Sequence, residues 1–320
     1  MITMAKGDMA MESPCLFVGS KQLGLRALQA ACRELGPARL ACAALDDSND
    51  SRSCYHEFET FCRSAQIPLH TVRNNTDLLQ VVKEVDPAIC LVVGWYLVLG
   101  PGLLKEIPGG WLGLHASLLP RYRGFAPLVW AIINGESQTG VTLFYFAEGM
   151  DAGDIVDQGF IPIGKQETIA DILAKAEVVM VELIKRNLIP LLEGRAVRRA
   201  QNQAEATYCA MRRPEDGQID WTWEAKRAYN FIRAQTRPYP GAYSFLPSDQ
   251  GNRKITIWRC RPFENPFWGT PGLVAQAAED GVVVCCGENA LEILEVQPAG
   301  EEPRPAREVL RFGARLGEIR

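Results

Sequence analysis

The stretch Ala88–Val93, Ala-Ile-Cys-Leu-Val-Val, narrows the fold more than any other part of the chain. A continuous apolar run does not suit a sheet with one wet face, where apolar and polar residues alternate. It suits a strand covered on both sides, as in a parallel sheet with helices on its two faces. The preceding residues repeat that logic. Cys15–Gly19 predicts a short apolar strand, Gly24–Leu35 an amphipathic helix and Arg39–Leu45 a second strand. Arg52–Ala65 then predicts a helix, Ile67–Val72 a third strand and Asp77–Glu84 another helix. Strand and helix in alternation imply an α/β unit with a mostly parallel sheet.

Past the apolar run, Gly94-Trp95-Tyr96-Leu97-Val98 opens into Gly100-Pro101-Gly102 and a helix. Gly113-Leu114-His115-Ala116-Ser117-Leu118-Leu119-Pro120 follows, a strand ending in one of only three histidines. The carboxyl edge of a parallel sheet is where α/β proteins place chemistry. A helix over Ala126–Ile133 and an alternating strand over Val141–Phe146 lead to Ala147-Glu148-Gly149-Met150-Asp151-Ala152-Gly153-Asp154. That loop sets a lone acid, Asp151, between two glycines. An imidazole works as a base near neutral pH, and a carboxylate beside it fixes its tautomer. Taken on spacing alone, the same residues also suit a buried histidine at a strand end and a plain hairpin turn. Ile155–Ile163 predicts a returning strand. Thr168–Glu193 predicts a long helix, with Ile169, Ile172, Leu173, Ala176, Val179, Val181, Leu183 and Ile184 on its packed face.

The wording of the two chemical segments resembles the signature of the N10-formyltetrahydrofolate-dependent formyltransferases. There Asn-x-His-x-Ser-Leu-Leu-Pro is followed, after a gap, by an Asp-containing loop. Here His115 and Asp151 match the family's His and Asp. Arg121-Tyr122-Arg123-Gly124, Ala126-Pro127-Leu128, Asn134-Gly135-Glu136 and Thr139-Gly140-Val141-Thr142 agree as well. The run Thr236–Tyr243 resembles the linker of methionyl-tRNA formyltransferase and the arabinosamine formyltransferases, and the likeness spans nearly all residues after 14. It implies a Rossmann-like catalytic domain over 15–200, a helical linker over 201–241 and a small OB-like β-barrel over 242–320. Residues 1–14 would form a disordered leader. Strands are expected at Ile255–Cys260, Gly272–Gln276, Val282–Cys285 and Ala290–Val296, and a last helix at Pro305–Phe312.

The resemblance implies transfer of a formyl group from 10-formyltetrahydrofolate to a primary amine. His115 would shuttle the proton and Asp151 would orient it and support release of N10. Trp95, Tyr96, Leu97, Val98, Ala147, Glu148 and Asp151 would line the folate site, although Trp95 and Tyr96 also suit ordinary core aromatics. Ser20, Lys21, Ser117 and Arg121 would meet the acceptor. The turn Ser20–Gly24 lacks Gly-x-Gly-x-x-Gly and the P-loop pattern, so it is either a plain βα turn or a phosphate cradle at a helix N-terminus.

One position departs from the family. Its Asn falls on Gly113, which has no side chain to donate to a developing oxyanion, and loss of such a donor costs about 3–4 kcal/mol. Water in the space left by glycine, a backbone N–H, or the substrate itself would have to serve, or else turnover is slow or lost and the chain binds folate without transferring from it.

Composition bears on the acceptor. Net charge is −4. From residue 200 onward 15 Lys+Arg stand against 16 Asp+Glu, whereas a protein that grips RNA usually carries a basic face. The loop after the second strand, Asp46-Asp47-Ser48-Asn49-Asp50, is acidic where tRNA formyltransferases carry a basic insertion. An amino sugar on a nucleotide is therefore the expected partner ahead of tRNA, with a homodimer left open. The ten cysteines are scattered, without a CxxC pair, which suits reduced thiols in a cytoplasm and no metal site. No apolar run is long enough to span a membrane, and His56 and His70 read as structural.

Overall fold

The computed structural model describes residues 14–50, 53–248 and 251–317. The expected leader over 1–14 lies outside them apart from Pro14. The chain folds as two compact units, each gathered from several stretches. One takes the described residues through Pro120, then Val141–Gly159 and Glu177–Glu205; the other takes Arg121–Gly140, Phe160–Ala176 and the described residues from Ala206 onward.

The first unit is built on β1 (Cys15–Gly19), α1 (Lys21–Leu35), β2 (Leu40–Leu45), α2 (Tyr55–Ala65), β3 (Leu69–Val72), α3 (Asn75–Val85), β4 (Ile89–Val93), α4 (Pro101–Leu104) and β5 (Trp111–His115). The next elements, β6 (Arg123–Gly124) and α5 (Pro127–Ile133), fall in the other unit; the strands β7 (Gln138–Tyr145) and β8 (Ile155–Pro162) then complete the sheet, and α6 (Ile169–Leu192) follows. The sheet order is β3-β2-β1-β4-β5-β7-β8. Pairings from β3 through β5 are parallel, and β7 runs antiparallel to β5.

Strands β1, β2 and β4 are buried along their whole length, as their unbroken apolar sequences require. Their side chains divide by parity. Cys15 and Phe17 join a core with Leu28, Phe58, Met180 and Ile184, while Leu16 and Val18 join another with Leu78, Val82, Leu103 and Trp111. Helices thus cover both faces. Helix α3 starts two residues ahead of expectation because the Asn74 side chain accepts from the N–H groups of Thr76 and Asp77 at 2.8 and 3.0 Å.

The other unit contains β9 (Tyr208–Cys209), α7 (Ala225–Arg233), β10 (Ala242–Ser248), β11 (Gly251–Pro262), β12 (Val274–Ala277), β13 (Val282–Cys285), β14 (Ala290–Pro298), β15 (Arg304–Pro305) and α8 (Ala306–Val309). Its main sheet has the order β10-β11-β14-β13-β12, with β15 paired to β14 and antiparallel pairing along that order. Phe231 and Ile232 of α7 pack with Ile255, Ile257, Leu291 and Ile293 in one apolar core. Two expectations change here. Thr236–Tyr243 runs directly into a strand that the sequence did not mark, its last two residues opening β10. The helix expected over Pro305–Phe312 is a single turn, closed by the Leu310 N–H on the Ala306 carbonyl at 2.8 Å.

Candidate active site

In the strand order, β1 and β4 are neighbours whose following segments lead toward opposite sides of the sheet, the switch point where open α/β sheets form a crevice. The carboxyl ends of β1, β2, β4 and β5 share that edge, so Ser20, the Asp46–Asp50 loop, Gly94–Tyr96 and His115 lie along it.

His115 is the last residue of β5 and is 9% exposed. Residues two apart on a strand share a face, which puts His115 with Gly113 and Trp111 on the face opposite Leu112 and Leu114. On the antiparallel neighbour, Thr142 stands opposite His115 and Phe144 opposite Gly113. The imidazole lies edge-on to the Phe144 ring, with centroids 6.4 Å apart and planes at 79°. Its Nδ1 is 3.6 Å from Asp151 Oδ2. The two segments singled out by the sequence, 36 positions apart (151 − 115), therefore meet through an imidazole and a carboxylate.

The Asp151 loop is held by its backbone. Asp151 itself has φ +47°, rare for a residue with a Cβ. A Cβ on Gly153 would lie 1.8 Å from the Tyr145 carbonyl oxygen, so only glycine fits that approach. The buried Gln201 side chain then donates its amide N–H groups to the Asp151 and Gly153 carbonyls at 2.7 and 2.6 Å. Sequence reasoning missed Gln201. It is an uncharged residue in an irregular stretch after α6, and no local pattern marks it.

Ser117 is buried in the turn after β5. Its N–H donates to the His115 carbonyl at 2.9 Å, and its own carbonyl accepts the Thr142 hydroxyl at 2.6 Å. Thr142 Oγ1 also accepts from Leu119 N–H at 3.1 Å and from Gln158 Nε2 at 2.9 Å. The turn that carries His115 is thus tied to β7 and β8 by one hydroxyl.

Gly113 corrects one expectation directly. The space beside it is not open for water. A Cβ built there would lie 2.6 and 2.8 Å from Cε2 and Cζ of Phe146 and 3.3 Å from Cε1 of Phe144.

At the β1–β4 crevice the Ser20 hydroxyl donates to the Gly94 carbonyl at 2.6 Å. Lys21, with φ +62°, places Nζ 2.6 Å from Asp47 Oδ2 and 2.8 Å from Asp50 Oδ2. It also lies 5.5 Å from the Tyr96 ring centroid, and the Tyr96 hydroxyl reaches Asp47 at 3.5 Å. Burial lowers the Lys21 pKa, but hydrogen bonding and attraction from the two aspartates outweigh it and leave the ammonium above its usual value. The acidic loop after β2 therefore takes up the cation expected to meet the acceptor.

Trp95 is half-buried against the apolar core, its indole N–H enclosed without a hydrogen-bond partner among the described residues. Tyr96 is exposed, Leu97 half-buried, and Val98 exposed with its carbonyl taking the Asn75 amide at 2.6 Å. Ala147 and Glu148 are exposed on the way to Asp151. Arg121 belongs to the other compact unit, where it pairs with Glu136 at 2.9 Å. The same carboxylate oxygen accepts the Tyr122 hydroxyl at 2.6 Å, and burial together with that bond pushes the phenol up to about 12. His70 has Glu84 at 4.0 Å, and His56 has Glu59 at 3.4 Å.

Comparison with known proteins identifies the family. Residues 58–187 match the formyl transferase family model, and 212–312 match the model of the formyl transferase C-terminal domain. The methionyl-tRNA formyltransferase of Caldanaerobacter subterraneus subsp. tengcongensis is 36% identical over 240 residues, 75% of this chain and 76% of that protein. Among solved structures, the N-formyltransferase of Helicobacter canadensis in complex with folinic acid and dTDP-3-aminofucose superposes with a TM-score of 0.65 at 18% identity, covering 87% of this chain and 98% of that one. WlaRD, a sugar 3N-formyl transferase solved in the presence of dTDP and 5-N-formyl-THF, gives 0.66 at 16% identity, over 91% and 99% of the two chains. With a histidine and an aspartate converging on the carboxyl edge of the sheet, and with both family models matched in order, this chain belongs to the formyltransferase family and is a formyl-transferring enzyme.

Proposed function

We propose that the protein transfers the formyl group of 10-formyltetrahydrofolate to the amine of a nucleotide-linked amino sugar. The observation that carries the chemistry is the approach of His115 to Asp151, at 3.6 Å, on a loop fixed by its own backbone. His115 takes the proton from the attacking amine as the new N–C bond forms. Asp151 orients the imidazole and supports proton delivery to N10 as the old C–N10 bond breaks. Trp95, Tyr96, Leu97, Val98, Ala147 and Glu148 are assigned to the folate, the enclosed Trp95 N–H being a donor that a pterin would satisfy. Ser20 and Ser117 are assigned to the acceptor, whereas Lys21 is held by Asp47 and Asp50. No side chain at Gly113 donates to the oxyanion.

The choice of acceptor is supported by the acidic Asp46–Asp50 loop, which stands where a tRNA formyltransferase would carry a basic insertion and takes up Lys21 through Asp47 and Asp50. The solved relatives that act on or bind sugar nucleotides support it further. A second reading, a methionyl-tRNA formyltransferase, is favoured by the 36% identical relative of that name. Steady-state formylation of amino-sugar nucleotides and of charged initiator tRNA, measured side by side with 10-formyltetrahydrofolate, separates them. Higher kcat/KM on the sugar is expected. Turnover of tRNA alone would overturn the assignment, and folate binding without turnover of either acceptor would defeat both readings.

A further inference from the structure

We infer that Gly113 and Phe146 act as one unit: the Phe146 ring occupies the place of a side-chain donor at position 113 and, through Phe144, positions His115. The inference rests on the transferase reading above and assigns a positioning role to a residue outside the two catalytic segments.

Three observations carry it. First, Gly113 is not among the residues with positive φ, so its backbone would accept a side chain. The obstacle is a ring, with two Phe146 carbons inside 3.0 Å of the position a Cβ would take. Gly153 differs in kind, because its obstacle is a backbone carbonyl that cannot swing aside. Second, Phe146 is anchored where it stands. Its N–H donates to the Trp111 carbonyl at 2.8 Å, and its side chain packs with the cores around Trp111 and around Leu119 and Phe144. Third, the rings form a relay to the base. Phe146 and Phe144 have centroids 5.3 Å apart, and Phe144 meets the His115 imidazole edge-on. Aromatic pairs at these separations prefer tilted and edge-to-face arrangements, which fixes one ring against the next.

Glycine at 113 is thus the notch that seats Phe146. Adding an amide at 113 without removing the ring dislodges the relay that orients His115. Removing the ring opens the position where an amide would face the developing oxyanion.

The test is a double-mutant cycle on the full chain: wild type, G113N, F146A and G113N/F146A, with F146L as a milder truncation should F146A fail to fold. Thermal midpoints and steady-state kcat and KM with 10-formyltetrahydrofolate and amino-sugar nucleotides are measured for each. G113N alone is expected to lower Tm and to lower kcat. In the F146A background the same substitution is expected to cost much less Tm and to raise kcat about 10-fold or more at similar KM, a restored oxyanion donor being worth about 100- to 1000-fold at most. G113A supplies the control. It crowds the ring without adding an amide, so it should lower Tm like asparagine but give no gain in kcat with F146A. Equal Tm costs of G113N with and without Phe146, or a rise in kcat from G113N alone, would overturn the pairing. Turnover by wild type without coupling condemns the pairing and spares the transferase reading. Coupling in Tm with no turnover by any variant condemns the transferase reading and the donor exchange with it.

Discussion

Two charged corners stand along the same edge of the sheet and are built in opposite ways. At the end of β1, Lys21 is closed onto Asp47 and Asp50 at 2.6 and 2.8 Å. At the end of β5, two strands along, His115 and Asp151 stand 3.6 Å apart, brought together by a strand end and a loop with Asp151 at φ +47°. Oppositely charged side chains that can reach each other satisfy one another and leave little for a ligand. The imidazole and carboxylate brought side by side by a strand end and a strained loop are the pair to which proton transfer is assigned in the proposed function.

That contrast is broken most severely by removing the base. H115A is expected to lower kcat by about 100- to 10,000-fold with little change in Tm; a rate within a few-fold of wild type would strip His115 of its role. Next comes the loop. G153A drives a methyl into the Tyr145 carbonyl, so a fall in Tm together with a loss of kcat of about 10- to 100-fold is expected as Asp151 is displaced. Melting curves beside steady-state rates check it, and an unchanged protein would show that the loop's geometry is not binding. Q201L leaves the two carbonyls without their donor. A smaller effect is expected, about 1–3 kcal/mol by chemical denaturation with some loss of kcat, and equal Tm and rate would break the argument.

The smallest effect belongs to the closed corner. K21M should cost about 1 kcal/mol at pH 8, a modest value because the pair is partly solvent-screened. The sign with pH follows from the raised pKa. Lys21's contribution is fully present below its unfolded value of 10.5 and disappears as pH climbs through the higher folded value. The stability gap between wild type and K21M should therefore narrow above about pH 10.5. A gap that widened with alkalinity would contradict the sign.

Much of the sheet was legible because its strands are short, apolar and separated by amphipathic helices. Cys15–Gly19, Ile89–Val93 and Val282–Cys285 could be read almost to the residue for that reason. Misreadings fall where local sequence carries no periodicity. β10 opens directly after Pro-Tyr-Pro-Gly, which reads as turn, and only its pairing with β11 makes it a strand. The Ala306–Val309 turn lacks the length to hold the helix its composition suggested. At the site, His115 and Asp151 were visible through a resemblance in wording, not through spacing. Phe146 and Gln201 were not visible, because a ring filling a notch and an amide bridging two carbonyls are facts of three-dimensional packing. The family's missing asparagine was visible as an absence; what stands in its place was not.

Gln201 also bears on how this enzyme can be dissected. A chain cut after residue 200 would retain every strand of the large sheet and all of α6. It would still lose the single amide that spans the carbonyls of Asp151 and Gly153. Such a fragment would carry a slack acid, and it would also leave Arg121–Gly140 and Phe160–Ala176 without the rest of their own compact unit. The piece to test for catalysis is therefore the whole chain, because the two units interleave in sequence and no single cut separates them.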